Sequence, residues 1–131
     1  MIRVLVDENL SEFLADGLNA IQKPLNNGIE LQSMAKIFGK GAADEVWIPS
    51  WGKKDGIVLT QDLNITRTRH QVELFQQNEL AGFFLKVPGK SSYWARVETL
   101  IKHWPEISKI ILTKTRPYSY LITPRKVEEL K

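Results

Sequence analysis

The chain opens with residues 1–18, MIRVLVDENLSEFLADGL, in which a short apolar run leads directly into two acids and then into a helical pattern. Residues 2–6, IRVLV, are almost continuously apolar, which is typical of a strand buried on both faces of a parallel sheet. Asp7 and Glu8 follow where this strand ends. Carboxylates beside a buried strand cost free energy unless something neutralises them. The opening therefore suggests a cation at the end of the first strand.

The overall composition is that of one globular domain spanning residues 1–131. Hydrophobic residues make up 43% and charged residues 25%, which leaves enough apolar material for a core. The net charge of +3 permits a nucleic-acid partner without requiring one. The absence of cysteine excludes disulfides and thiolate metal sites, and it favours a cytoplasmic location. No apolar run approaches ~18 residues and the first strand starts at once, so we expect neither a membrane span nor a signal peptide.

Hydrophobic patterning along the rest of the chain predicts helices between strands. We expect helices over 10–22, from 43 onwards, 66–79 and 91–104, and strands over 29–34, 57–60, 81–87 and 118–123, followed by a polar tail. Asn9 and Glu12 have the spacing of a capping box for the first helix, and Pro49 is expected to shorten or kink the helix that begins near residue 43. This alternation predicts a three-layer α/β/α sandwich with a mainly parallel sheet and the first strand at its centre.

Further acids are expected at the edge where the first strand ends. Asp62 follows the strand at 57–60, and Asp44 with Glu45 follows a glycine-rich turn at the start of a helix. Ligand sites in such sheets lie outside the carboxyl ends of the strands, so these acids and Asp7 would form a hard-oxygen site suited to Mg²⁺ or Mn²⁺. Such an ion can activate water for attack on a phosphate. A structural alternative stays open, in which Asp44 caps its helix and Asp62 holds a turn.

Three segments resemble the signature blocks of the small PIN-like proteins: VDENLSEFLADGL at 6–18, GAADEVW at 41–47 and GIVLTQDLNI at 56–65. The resemblance covers residues 1 to about 87. It implies a PIN-like domain whose fold and site resemble those of 5′-nucleases. The activity it implies is that of a metal-dependent endoribonuclease, a class that includes the toxins of toxin–antitoxin pairs.

The resemblance also implies catalytic metal ligands, which are Asp7, Asp62 and either Asp44 or Glu45. Glu8 and Asn64 are further candidates for the metal shell. Relatives often carry a further acid where this chain has Asn64, whose amide offers a carbonyl oxygen but no charge. This departure keeps open an alternative function, that of a non-catalytic PIN-like module that binds RNA or a protein.

Basic residues near the same edge are candidates for holding an RNA backbone. They are Arg67, Arg69, Lys86 and Lys90. Arginine can pair with a phosphate through two hydrogen bonds. Because Arg67 and Arg69 are two positions apart, their side chains diverge by ~200° on a helix, and we expect only one of them to face the site. A solvated helix face is the alternative.

The expected partners are RNA, an antitoxin protein and a second copy of the chain in a homodimer. A phosphoacceptor receiver domain is a competing interpretation, because it also carries acids after its first and third strands. That interpretation does not require the acidic helix start at Asp44, and it ranks last.

Overall fold

The computed structural model describes residues 1–61, 65–88 and 92–130, and for residues 65 and 66 it describes the backbone alone. The strands are β1 (Ile2–Val6), β2 (Ile29–Ser33), β3 (Ile57–Gln61), β4 (Ala81–Leu85), β5 (Tyr118–Ile122) and β6 (Val127–Glu129). The helices are α1 (Glu12–Gln22), α2 (Met34–Phe38), α3 (Asp44–Gly52), α4 (Ile65–Gln77) and α5 (Tyr93–Thr113), with a 3₁₀ turn at Lys23–Leu25.

The six strands form one sheet in the order β2-β1-β3-β4-β5-β6. The neighbours from β2 to β5 pair in parallel, and β6 adds an antiparallel edge to β5. The predicted parallel sheet is therefore confirmed. The expected central place of β1 is corrected, because β3 and β4 form the middle of the sheet and β1 lies one strand in from the edge.

Helices cover both faces of this sheet, which confirms the three-layer α/β/α architecture. On one face, Val4 and Val6 of β1 pack in a core that includes Leu14 of α1 and Ile107 of α5. On the other face, Leu5 packs in a core that also contains Trp47 and Trp51 of α3 and Phe75 of α4. Side chains of a strand point alternately to the two faces, which explains why a run as apolar as IRVLV is needed here.

The helix boundaries differ from the predicted ones for identifiable reasons. The N-cap of α1 is Ser11, whose Oγ accepts the Phe13 N–H at 3.1 Å. Asn9 does not cap the helix because its side chain donates to the Asp7 carboxylate at 3.0 Å. Pro49 lies inside α3 without ending it. Likewise, α5 continues past Pro105 to Thr113, because buried apolar residues extend its core face beyond that point.

Two short elements were not predicted. Helix α2 begins at Met34, the last residue of the predicted second strand, and β6 lies in the predicted polar tail. Strand β6 has the sequence VEE and pairs only with β5, so its solvated side carries none of the apolar signal that marks a buried strand. Among the described residues, no helix is both long and apolar enough to cross a membrane.

Candidate metal site at the carboxyl edge of the sheet

Asp7 lies at the carboxyl edge of the sheet, directly after β1. Its backbone N–H donates to the Leu59 carbonyl at 3.0 Å, which extends the pairing of β1 with β3 by one residue. Its carboxylate accepts three hydrogen bonds from residues that the structure describes. Oδ1 accepts the Glu8 N–H at 2.7 Å, and Oδ2 accepts the Asn9 side-chain amide at 3.0 Å and the Thr60 hydroxyl at 2.7 Å. A carboxylate offers about four acceptor positions, so the donors in the described part of the chain fill three of them and leave one for a cation.

Thr60 contacts the candidate ligand Asp7, and sequence reasoning overlooked it. It is 1% exposed, yet its hydroxyl reaches the Asp7 carboxylate across the β1–β3 pair. The signal was present in the LTQD segment, where a hydroxyl precedes the strand-end acid by two positions. Gln61 is the last residue of β3, and Asp62 follows it directly. Asp62 and Asn64 lie outside the described residues, so their predicted roles as ligands stay predictions.

Glu8 connects the end of β1 to the loop that precedes Asp44 and Glu45. Its Oε1 accepts the Gly41 N–H at 2.7 Å. Gly41 has a φ of +72°, a conformation that glycine adopts without strain, and it lies in the loop that leads into α3. The contact therefore ties the start of α3 to the end of β1. Glu8 has a positioning role in the structure, and its predicted role as a metal ligand stays a prediction.

Asp44 and Glu45 form the first turn of α3. The N-cap is Ala43 and makes no side-chain capping bond, so Asp44 does not cap this helix as the structural alternative held. The Asp44 Oδ1 instead accepts the Trp47 indole N–H at 3.0 Å. Trp47 is 2% exposed, so a buried ring fixes the orientation of this carboxylate. Glu45 is exposed at the same helix N-terminus, where a negative charge is favourable.

A cavity of about 260 Å³ opens beside the first acids. Asp7, Glu8 and Lys40 line it together with Ser11 and Glu12 at the start of α1. Lys40 brings a positive charge to this acidic opening, and sequence reasoning did not single it out. The cavity thus places one cation and three carboxylates around a single opening next to β1.

The described part of the chain contains no cluster of three or more His, Cys, Asp or Glu side chains that could hold a metal. Asp7 and Glu8 are brought together with the loop before α3, while the third predicted acid, Asp62, is outside that part. Among the predicted RNA-binding cations, Arg67 and Arg69 are exposed on α4, Lys86 is exposed just after β4, and Lys90 is outside the described residues. Which of them faces the site stays a prediction.

Comparison with known proteins adds one finding. Residues 2–87 match the family model described as a PIN like domain. The matched region runs from β1 to just beyond β4 and so contains all three acidic segments. No curated protein and no solved structure gives a significant match to the chain.

Proposed function

The chain belongs to the PIN-like domain family, and we propose on that basis that it is a metal-dependent endoribonuclease that cleaves phosphodiester bonds of RNA. The observation that carries the proposal is the Asp7 carboxylate. Three donors among the residues that the structure describes hold it at the carboxyl edge of the sheet, and they leave about one acceptor position for a cation. The family supplies the class of reaction, and Asp7 supplies a fixed anionic ligand where that reaction needs one.

The proposed ligands of one Mg²⁺ or Mn²⁺ are all oxygen donors, which is the donor type that these ions prefer. They are Asp7, Asp62 and either Asp44 or Glu45, with Glu8 and Asn64 as further candidates. A bound ion of this kind supplies Lewis acidity and an acidified water. The residues that surround Asp7 fit this role, because they fix its orientation without an ion pair within the described part of the chain.

The protein's own groups would perform the binding and orienting steps. Thr60 and Asn9 hold Asp7 in one orientation, and Glu8 holds the loop that brings α3 to the edge. We assign phosphate binding to Lys86 and to one of Arg67 and Arg69, since exposed cations near the site can pair with the RNA backbone. Lys90 is a further candidate for the same role.

The proposal is tested by the substitution Asp7→Asn. It removes the charge of one ligand, so RNA cleavage in Mg²⁺ or Mn²⁺ should fall by about 100-fold or more. Asp16→Asn is the matched control, because Asp16 is an exposed acid on α1 whose only described ion pair, to Lys36, is long at 3.8 Å. Circular dichroism of both variants checks that the fold is kept. Equal cleavage by wild type and Asp7→Asn at saturating metal would exclude Asp7 as an essential ligand.

A second candidate is a non-catalytic PIN-like module that binds RNA or a protein. Asn64 favours it, since this residue stands where relatives often carry a further acid. Binding and cleavage assays on one preparation of the protein distinguish the two candidate functions. RNA binding without cleavage at any Mg²⁺ or Mn²⁺ concentration supports the binding module, whereas metal-dependent cleavage supports the enzyme.

The finer part of the proposal is a biological role as the toxin of a toxin–antitoxin pair, held inactive by a protein partner. It rests on the family alone. Growth arrest on expression of the wild-type chain, but not of Asp7→Asn, would support it.

A further inference from the structure

Helix α5 carries a stripe of exposed apolar residues on the side that does not contact the sheet. We call it the α5 stripe, and it consists of Trp94, Ile101, Pro105 and Leu112. Trp94 is 73% exposed, Ile101 43% and Leu112 48%, and Pro105 is exposed as well. At ~100° per residue the four positions lie within about 40° of one line along the helix. Isolated exposed apolar residues are normal, but several of them aligned along one face of a helix are a candidate contact surface.

The spacing of the α5 stripe is the same in both directions. Its residues are separated by seven, four and seven positions. If a second copy of α5 lies antiparallel, Trp94 meets Leu112 of that copy and Ile101 meets its Pro105. The remaining two meetings follow by symmetry. A two-fold interface requires such a self-complementary pattern, since both copies present the same surface.

The charges beside the stripe are self-complementary in the same register. Glu98 and Lys109 flank it on one side, about 40° and 60° from its axis. The antiparallel arrangement places Glu98 of each copy within one position of Lys109 of the other, so that two opposite-charge contacts form. Both residues are exposed, and neither makes an ion pair to another described residue. This charge pattern selects a second copy over an unrelated apolar partner.

A shallow depression lies on the first half of the stripe. It has a volume of about 430 Å³, and its lining is Trp94, Val97, Glu98, Ile101 and Lys102. The first four are related as i, i+3, i+4 and i+7, which is the arrangement of a hole that receives a side chain from a facing helix. In the antiparallel register the last two turns of the second α5 pass over this depression.

We propose that the chain forms a two-fold homodimer in which the α5 helices of two copies pair antiparallel through the α5 stripe. The stripe is about 27 Å long, from a rise of ~1.5 Å per residue. A single helix pair of this length is smaller than the interfaces of permanent dimers. The dimer therefore forms reversibly and depends on protein concentration.

The test is sedimentation velocity of the full chain from about 1 µM to about 1 mM. Glu98→Lys and Lys109→Glu each create two like-charge contacts and should weaken the dimer by about tenfold or more. The double variant restores both contacts and should dimerise like the wild type. An equimolar mixture of the two single variants should also dimerise, because each contact again joins a carboxylate to an ammonium group.

A second pair of variants separates this surface from other apolar positions. Leu112→Asp should abolish the dimer, whereas Phe13→Asp should leave it unchanged, because Phe13 is 72% exposed on α1 and lies outside the stripe. Circular dichroism confirms folding of all variants. A monomer over the whole concentration range, a dimer that Leu112→Asp leaves intact, or a double variant that fails to recover would each overturn the proposal. If the stripe variants changed RNA affinity instead of assembly, the stripe would be an RNA surface and the proposal would be wrong.

Discussion

Single residues show two opposite ways in which this protein treats a buried or half-buried polar group. The Asp7 carboxylate accepts three hydrogen bonds from neighbours in sequence and across the sheet. The Tyr118 hydroxyl is buried without a partner in the described structure. Hydrogen bonds to a charged form fix its orientation, whereas an unpaired buried hydroxyl costs free energy. The arrangement at Asp7 suits a metal ligand, whereas the unpaired hydroxyl of Tyr118 should lower the free energy of unfolding.

Tyr118→Phe should leave the protein equally stable or make it more stable at pH 7, by up to about 1 kcal/mol. The ring keeps its edge contacts with Phe83 and Tyr120, at centroid distances of 5.8 and 5.7 Å, while the unpaired hydroxyl is removed. Urea unfolding measures the difference in the free energy of unfolding. A loss of more than about 1 kcal/mol would show that the hydroxyl has a stabilising partner.

The same variant should also change how stability depends on pH. Burial raises the pKa of Tyr118 to about 12, above its ordinary value of about 10 in an unfolded chain. The unfolded chain therefore loses this proton first, so the free energy of unfolding is highest below about pH 10 and falls as the pH rises towards about 12. Tyr118→Phe should show a shallower loss of stability over this range. The raised pKa of Lys114, caused by its hydrogen bonds to Glu129 and Tyr120, acts in both proteins. Identical slopes would contradict the assignment to Tyr118.

At the scale of elements, the packing of α3 against the end of α4 depends on a missing side chain. A Cβ added to Gly52, the last residue of α3, would lie 2.2 Å from the Asn78 carbonyl oxygen. That oxygen belongs to the backbone and cannot move without shifting the chain. A Cβ added to Gly17 of α1 would meet nothing within 4 Å. The two helical glycines thus differ in what an alanine would do.

Gly52→Ala should lower the free energy of unfolding by about 1–3 kcal/mol, because the new methyl group overlaps the backbone of the neighbouring segment. Gly17→Ala, the matched control, should raise it by up to about 1 kcal/mol, because alanine favours a helix more than glycine does. Urea unfolding of both variants gives the comparison. Equal stability of Gly52→Ala and wild type would show that α3 and α4 adjust freely, contrary to the packing described.

The sequence predicts an element well when burial on both of its faces makes it apolar, and less well when a contact elsewhere in the fold decides where the element ends. Strands β1, β3 and β4 were predictable because burial on both faces makes them almost wholly apolar. The end of α5 was not, since Pro105 is a local stop signal that the apolar face beyond it outweighs. The predicted N-cap of α1 is wrong because the Asn9 side chain bonds to Asp7, two positions before it, while Ser11 caps the helix.

At the scale of the whole molecule, the amino and carboxyl ends of the parallel strands lie at opposite edges of the sheet, and these two edges are built differently. At the amino edge, the Arg116 guanidinium donates to the carbonyls of Gly52, Lys54 and Glu79. Arg3 bonds to Asp55 at 2.9 Å on the same edge. These contacts close the amino edge with one ion pair and with hydrogen bonds from a side chain to backbone carbonyls. The carboxyl edge carries Asp7 and Glu8 with a cavity beside them, and Glu8 bonds to the loop that leads into α3.

The location of the candidate site was predictable because all parallel strands bring their carboxyl ends to the same edge. The family resemblance over the first two thirds of the chain was also predictable, and the match over residues 2–87 confirms it. The hydrogen bond from Thr60 was not, because it depends on the register Val6↔Leu59 between β1 and β3. That register is a property of the assembled sheet rather than of either strand alone.

The central claim, that the acids of three segments hold one ion, is tested most directly by the anomalous diffraction of Mn²⁺ in a crystal of the chain. The account predicts one peak at the carboxyl edge, within about 2.3 Å of carboxylate oxygens of Asp7, Asp62 and one of Asp44 and Glu45. An Asp7→Asn crystal treated identically should lose that peak or show it much weakened. A wild-type crystal at saturating Mn²⁺ with no peak beside Asp7, or with its peak on acids elsewhere in the molecule, would contradict the account.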